Sequence, residues 1–247
     1  CRAESVAKHY MGFHQSEGGI HGTVCSIPER LLREVYGLPF QAAIAEENLR
    51  GVMPCYCSIG GEPVSASEHL LTQILRQEMG FDGVAVADYS AVSNVHHTQK
   101  LYETEAEAGL ACLSAGMDVE LPDTVCFNEE MKAMFAQGKA DMALLDQAVR
   151  RVLRAKFRMG LFEHPFALTG SALSEMVHHP EDELITLQSA LESLVLLKND
   201  NHVLPVGKNV RKIALIGPHA DNARHFFGGY THLSMVEAIH AVMNSLA

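Results

Sequence analysis

Basic residues are scarce in this sequence: 19 lysines and arginines face 30 aspartates and glutamates, giving a formal net charge of −11. This balance argues against a nucleic-acid partner, because phosphate binding requires clustered Lys and Arg side chains. Long apolar runs are also lacking, and none approaches the roughly 18 residues that a membrane-spanning helix needs. We therefore expect neither a nucleic-acid nor a membrane partner.

The start of the chain, "CRAESVAKHY", has no initiator methionine and neither the basic nor the apolar segment of a signal peptide. We interpret this start as a cut within a longer protein. The compartment and the oligomeric state are left open.

Metal-ligand and nucleotide motifs are lacking as well. The six cysteines, at positions 1, 25, 55, 57, 112 and 126, show no paired metal spacing and are expected to be mostly buried thiols. The histidine pairs His96–His97 and His178–His179 do not have the three- or four-residue spacing of helical zinc ligands. "IALIGPHADNARHFFGG" lacks the dinucleotide-binding glycine fingerprint. We expect neither a metal nor a cofactor.

What the sequence does contain is an alternation of strand and helix patterns. Strands are predicted at 4–10, 51–57, 83–88 and 117–122, and helices at 28–47, 65–80, 103–116, 128–138 and 141–160. Repeated strand–helix units predict a parallel sheet and an α/β fold. Four such units make half of a closed (β/α)8 barrel, which needs about 250 residues.

The alternation of strand and helix patterns stops after residue 162. Residues 163–182 contain two prolines and no clean periodicity, and a helical pattern follows to residue 200. We therefore expect a partial barrel at 1–162, a linker and connecting helix at 163–202, and the start of a second domain at 203–247. "KIALIGPHAD" predicts a buried strand in that second domain.

Three predicted strands end at or near residues whose side chains can take part in catalysis or substrate binding. Asp88 closes "GFDGVAVAD", Lys8 and His9 close the first strand, and Tyr56 lies near the end of the second. Alone, Asp88 could be a helix N-cap or a surface acid, Lys8–His9 an exposed pair, and Tyr56 a half-buried strand residue. Together, at one rim of a parallel sheet, they predict a site for a polyhydroxylated substrate.

Five segments carry a resemblance to glycoside hydrolase family 3. They are "KHYMGFHQSEGG", "GFDGVAVADYSAV", "AGLACLSAGMDVELP", "AVRRVLRAKFRMGLF" and "SALESLVLLKNDNHVLPV" with the following "KIALIGPHAD". The resemblance implies a (β/α)8 TIM-like barrel, here its C-terminal half, followed by the start of an α/β sandwich domain. It implies removal of β-linked glucose or xylose from non-reducing ends of oligosaccharides or aryl and alkyl β-glycosides.

The resemblance also implies roles for single residues. Asp88 matches the catalytic nucleophile, which forms a covalent glycosyl-enzyme. Lys8 and His9 match the pair that hydrogen-bonds the sugar hydroxyls, Tyr56 matches a tyrosine near the nucleophile, and Tyr89 stands where an aromatic residue stacks on the sugar. Ala87 departs from the pattern, because the family has a serine before the nucleophile.

The general acid/base is expected outside this sequence, as a Glu of the second domain beyond Ala247. "FHQSEGGIHG" lacks the Asp-His pair of the one-domain N-acetylglucosaminidases. Glu17 in that loop is a weaker candidate for the acid. The isolated chain is therefore expected to be inactive, and the alternative reading is a non-catalytic carbohydrate-binding or structural relative.

Two geometric expectations follow. Lys8, His9, Tyr56 and Asp88 should line one pocket at the carboxyl rim of the strands. Neighbouring residues on a regular strand point to opposite faces, so a distorted or cis peptide is expected at Lys8–His9 or His9–Tyr10 if both side chains reach one sugar.

Overall fold

The computed structural model describes residues 3–177 and 179–227. The chain divides into two compact units, Cys1–Leu168 and Thr169–Ala247, which are described separately. The strands are β1 (Val6–Tyr10), β2 (Val24–Cys25), β3 (Gly51–Pro54), β4 (Ser58–Ile59), β5 (Glu62–Pro63) and β6 (Val84–Ala85). The helices are α1 (Glu29–Leu31), α2 (Leu38–Glu47), α3 (Ala91–His97), α4 (Glu105–Ala115), α5 (Glu129–Ala136), α6 (Met142–Arg158), α7 (Gly170–Val177) and α8 (Pro180–Ser193), with π-helical segments at Leu32–Tyr36 and His69–Glu78.

The first unit is built on a parallel sheet of order β1-β3-β6. The predicted strand at 117–122 runs beside β6. Its β-pairing is limited to one parallel bridge, between Val119 and Val86, the residue that follows β6. Backbone hydrogen bonds continue this contact, from the Ala87 N–H to the Val119 carbonyl and from the Ser90 N–H to the Leu121 carbonyl, both 2.8 Å. The α/β class is confirmed, and the strands are shorter than predicted.

Helix starts in this unit follow their capping residues. Thr104 and Glu107 form a reciprocal capping box at the start of α4. Asn128 and Asp141 accept backbone N–H groups at the starts of α5 and α6. Buried side chains of the sheet and of the helical segments form one core, and Val52, Leu71, Ile74, Ala85 and Val92 are among its fully buried residues.

A second small sheet was not predicted from the sequence. Strand β2 pairs in parallel with β4, and β4 pairs antiparallel with β5. Strands of two residues carry no recognisable alternation, so sequence periodicity does not reveal them. This sheet brings the loop after β1 against the segment after β3.

The second unit contains α7 and α8, and neither helix has a buried residue. Helix α7 lies within the segment predicted as an irregular linker. The strand predicted at "KIALIGPHAD" is not found: in the part of the second unit that the structure describes, residues 211–216 pair with no strand, and Ile213, Leu215 and Ile216 are exposed. A strand requires a hydrogen-bonding partner, and an apolar run alone does not supply one. The last segment of the sequence, "SMVEAIHAVMNSLA" at 234–247, is helix-like in its pattern and lies outside the described residues.

Within the described residues, no helix has both the length and the apolar character needed to cross a membrane.

Candidate active site

Asp88 and His9 form the centre of the candidate site. His9 Nε2 lies 2.9 Å from Asp88 Oδ2, and the two side chains are 22% and 17% exposed. Asp88 follows β6 by three residues, at the carboxyl end of that parallel strand. His9 lies where the pairing of β1 with β3 shifts between Lys8 and Tyr10. The Lys8–His9 peptide is cis, which confirms the predicted distortion.

The second carboxylate oxygen of Asp88 is held by the backbone. Asp88 Oδ1 accepts a hydrogen bond of 2.8 Å from the Tyr89 N–H, and the Asp88 carbonyl accepts the Ala91 N–H at 3.0 Å, at the start of α3. One oxygen therefore meets a side-chain donor and the other meets a backbone donor, which fixes the plane of the carboxylate.

Burial lowers the pKa of His9, and the nearby Lys8 charge lowers it further, while the charge of Asp88 opposes both. The net shift is downward from the ordinary value of 6.5. A neutral imidazole whose Nε2 carries the proton donates that N–H to the Asp88 carboxylate. Lys8 is exposed and precedes His9 in β1, and its charge acts on the His9 imidazole.

Tyr56 and Tyr89 are joined beside the carboxylate. The Tyr56 hydroxyl donates a hydrogen bond of 2.7 Å to the Tyr89 carbonyl. The Tyr89 residue is 63% exposed, so its ring is accessible to a ligand. The structure thus brings Tyr56 and Tyr89 to the rim that carries Asp88 and His9.

Sequence reasoning missed two aromatic residues of this site, Phe13 and His21. Ring centroids are 5.3 Å apart for His9 and Phe13, 5.0 Å for Phe13 and His21, and 4.5 Å for His21 and Tyr56. The loop "FHQSEGGIHG" contains both residues. The three aromatic or imidazole side chains of this loop, which follows the Lys8–His9 segment, were the signal that could have indicated them.

Glu17 is engaged elsewhere. Its carboxylate accepts a hydrogen bond of 2.6 Å from the Ser26 hydroxyl, and its charge acts on the Cys25 thiol. Among the residues that the structure describes, no group of three or more His, Cys, Asp or Glu side chains is arranged to hold a metal ion.

Comparison with known families decides the relationship of this chain. The model of the glycosyl hydrolase family 3 N-terminal domain matches residues 3–155, and that of the family's C-terminal domain matches residues 194–246. The chain belongs to glycoside hydrolase family 3.

Curated relatives in family 3 include a beta-xylosidase of Formosa agariphila, 35% identical over 246 residues that cover 93% of this chain and 33% of the relative. A lysosomal beta glucosidase of Dictyostelium discoideum is 34% identical over 234 residues, 93% of this chain and 28% of the relative. The chain therefore spans about a third of the length of the relatives it matches.

Solved structures agree with this family. A β-glucosidase from Erythrobacter marinus superposes with a TM-score of 0.76 at 34% identity, covering 82% of this chain and 27% of that one. A mutant β-glucosidase from Listeria innocua in complex with laminaribiose superposes with a TM-score of 0.76 at 30% identity, covering 83% and 28%. The family 3 N-terminal domain is a TIM-barrel-like α/β fold, and the first unit of this chain is α/β as well.

Proposed function

We propose that this chain is part of a retaining β-glycosidase that hydrolyses non-reducing terminal β-D-glucosyl or β-D-xylosyl residues through a covalent glycosyl-enzyme on Asp88. The observation that carries the proposal is the contact of 2.9 Å between His9 Nε2 and Asp88 Oδ2 at the carboxyl end of the parallel sheet. Relatives at 34–35% identity bear the names beta-xylosidase and beta glucosidase, which supports both sugars as candidates.

In this proposal the carboxylate of Asp88 attacks the anomeric carbon, and the bond from that carbon to the glycosidic oxygen breaks. The Tyr89 N–H and the His9 imidazole hold the carboxylate in one plane before attack, so less reorganisation is needed at the moment of reaction. Water then hydrolyses the glycosyl-enzyme and regenerates the free carboxylate.

The remaining residues bind the sugar. The exposed Lys8 ammonium donates hydrogen bonds to sugar hydroxyls, and the exposed ring of Tyr89 stacks on the sugar face. Tyr56 acts indirectly, since its hydroxyl holds the Tyr89 carbonyl. His9 contacts Asp88 through Nε2 and so orients the nucleophile, and it also hydrogen-bonds a sugar hydroxyl next to Asp88.

In this proposal the proton donor to the leaving oxygen is a Glu of the family's second domain. Residues 1–162 are assigned to a partial barrel, which supplies the nucleophile. The Glu17 carboxylate is less suited because Ser26 occupies one of its oxygens. A retaining mechanism requires the donor carboxyl about 5–5.5 Å from the nucleophile.

The test uses a substrate that needs no acid. The folded chain is incubated with 2-deoxy-2-fluoro-β-glucosyl fluoride or the matching xylosyl fluoride, because fluoride leaves without protonation. Peptide mapping by mass spectrometry should find one sugar adduct on the peptide that contains Asp88. The sugar that labels faster identifies the substrate class.

Asp88→Asn should abolish the adduct, and Asp82→Asn, which precedes β6 and pairs with arginines outside the site, should keep it. Labelling of another residue, or an unchanged adduct in Asp88→Asn, would contradict the proposed nucleophile. A folded chain that binds the sugars without any adduct would favour the non-catalytic carbohydrate-binding reading.

A further inference from the structure

Three thiols converge behind the loop that follows β1. Cys25 ends β2, and Cys55 and Cys57 lie between β3 and β4; all three are free and at most 1% exposed. The pairing of β2 with β4 brings Cys25 towards Cys57. Ser16 Oγ lies 3.0 Å from Cys57 Sγ and 4.0 Å from Cys25 Sγ, so one hydroxyl touches two sulfurs.

Cys57 is the thiol of this cluster whose pKa is lowered. Hydrogen bonding with Cys55 is the largest cause, interactions with Ser16, Cys25 and the Gly22 backbone add to it, and burial opposes it. Hydrogen bonding with Cys57 and then burial raise the pKa of the Cys55 thiol, and burial followed by the hydrogen bond with Cys57 raises that of Cys25. The surroundings therefore favour the thiolate form at Cys57 over the other two thiols.

The groups around Cys57 can adapt to a thiolate there. The Ser16 hydroxyl can turn from the Phe13 carbonyl at 2.7 Å to the sulfur at 3.0 Å. The thiols of Cys55 and Cys25 have alternative acceptors in the carbonyls of Met11 at 3.3 Å and Gly12 at 3.4 Å. The Gly22 N–H belongs to the backbone and stays in place.

Ser16 also lies between the cluster and a surface pocket, since it contacts the sulfurs and lines the pocket. The pocket has a volume of about 220 Å³ and is also lined by Phe13, His14, Gly19 and His21. Of the two sulfurs near Ser16 Oγ, that of Cys57 is the closer, at 3.0 Å, so the pocket lining contacts Cys57 through Ser16. The pocket is large enough for several water-sized molecules.

We propose that Cys57 is a modification site for hydroperoxides and that its oxidised form is converted to a disulfide by one of the two thiols that contact it. The Cys57 thiolate attacks one peroxide oxygen, the O–O bond breaks, and the departing hydroxide takes a proton to become water, leaving Cys57 as a sulfenic acid. The sulfur of Cys25 or Cys55 then attacks the Cys57 sulfur, the S–O bond breaks, and the thiol proton leaves with the hydroxyl group as water. The peroxide is the two-electron oxidant, and the two thiols supply the electrons.

This inference rests on thiol chemistry and not on the proposed glycosidase activity. It nevertheless concerns the same region, because Cys57 directly follows Tyr56, whose hydroxyl holds the Tyr89 carbonyl. Cys112 and Cys126 offer an internal comparison, since both are free and buried and their pKa values are raised, with burial as the main cause.

The chain carrying Cys1→Ser is reduced and then treated with hydrogen peroxide. Peptide mapping measures the rate at which each remaining thiol is modified. With a cyclic 1,3-diketone as trap, the adduct should form on Cys57 at least about tenfold faster than on Cys112 or Cys126, because thiolate character governs the rate. Without the trap, a disulfide from Cys57 to Cys25 or Cys55 should form and dithiothreitol should reverse it.

Cys57→Ser should lose both products, while Cys112→Ser, the replacement of another buried thiol, should keep them. The competition among thiols within one wild-type molecule holds even if Cys57→Ser does not fold. First modification at Cys112 or Cys126, equal rates at all thiols, or a Cys57 that stays reduced while circular dichroism shows a folded chain would overturn the proposal. A trapped adduct on Cys57 with no disulfide in the absence of the trap would overturn the second step.

Discussion

The hydroxyl of Tyr56 shows how one atom supports the candidate site without facing the substrate. It donates to the Tyr89 carbonyl at 2.7 Å, and the Tyr89 N–H in turn donates to Asp88 Oδ1 at 2.8 Å. The carboxylate is therefore positioned through a chain of two hydrogen bonds. Both bonds engage the Tyr89 peptide backbone, so the Tyr89 ring stays exposed.

Tyr56→Phe removes this support while it keeps the ring against His21. The rate of Asp88 labelling by the fluorosugar should fall about two- to tenfold, because a neutral hydrogen bond contributes about 0.5–1.5 kcal/mol. Tyr102→Phe is the matched control, since Tyr102 contacts His96 through its backbone carbonyl and not its hydroxyl. An unchanged rate in Tyr56→Phe would show that Asp88 is positioned without Tyr56.

Two histidines of this chain should titrate on opposite sides of 6.5. Burial lowers the pKa of His9, whereas hydrogen bonds to Gln73 and then Glu29 raise the pKa of His69. Below 6.5 the unfolded chain binds the His9 proton more readily, so the contribution of His9 to stability is lost as the pH falls through its lowered pKa. The contribution of His69 is present below 6.5 and is lost as the pH rises through its raised pKa.

Histidine NMR signals, assigned with His9→Gln and His69→Gln, measure both midpoints in one sample. The His9 midpoint should lie below 6.5 and the His69 midpoint above it. Midpoints on the same side of that value would contradict the environments described for these two side chains.

Among the elements, Asp118 joins strand β6 of the sheet to two helical segments. Its carboxylate accepts hydrogen bonds from Arg76 of the π-helix His69–Glu78 at 2.8 Å, from Arg151 of α6 at 2.8 Å and from the Ala85 N–H of β6 at 2.9 Å. The Asp118 side chain is fully buried. Because β6 leads directly to Asp88, this clamp also fixes the strand that presents the proposed nucleophile.

Asp118→Asn keeps the shape of the side chain and leaves two arginines without their counter-charge. The free energy of unfolding should fall by about 3–5 kcal/mol, since removing one partner from a buried ion pair leaves an uncompensated charge. Asp82→Asn, in a half-exposed cluster with Arg154 and Arg158, should change it by less than about 1 kcal/mol. Urea denaturation measures the free energy of unfolding of both variants. Equal losses in the two would show that the burial of Asp118 does not increase its contribution to stability.

At the scale of the whole molecule, the chain contains two units and matches two family domains. The family matches end at residue 155 and resume at 194, so the segment between them belongs to neither match. Helices α7 and α8 both lie within this segment and have no buried residues. By contrast, α4 buries Ala106, Ala108, Cys112 and Leu113 in the first unit.

A glutamate-specific protease should therefore cut first between residues 163 and 202, at sites such as Glu163, Glu175 and Glu181. Exposed segments with few packed contacts open at little cost in free energy. Mass spectrometry of early digestion products should show a fragment that ends in this segment. Early cleavage at Glu62 or Glu107 instead would contradict the proposed linker at 163–202.

The sequence by itself determined the local features of this protein. Apolar runs and helical periodicity indicated the alternating strands and helices of the first unit, and Asp88 was placed at a strand end by the run that precedes it. The motifs then indicated the family. These features depend on neighbours within a few residues, so they can be read from short windows of sequence.

Only the tertiary structure decided which distant residues meet. Pairing of β1, β3 and β6 puts His9 on Asp88, and pairing of β2 with β4 brings Cys25 and Cys57 together and carries His21 to Tyr56. The apolar run at 213–216 shows the converse: its composition predicted a strand, but it pairs with no strand in the described residues. Contacts between residues far apart in the sequence depend on strand partners and loop paths, and local composition encodes neither of them.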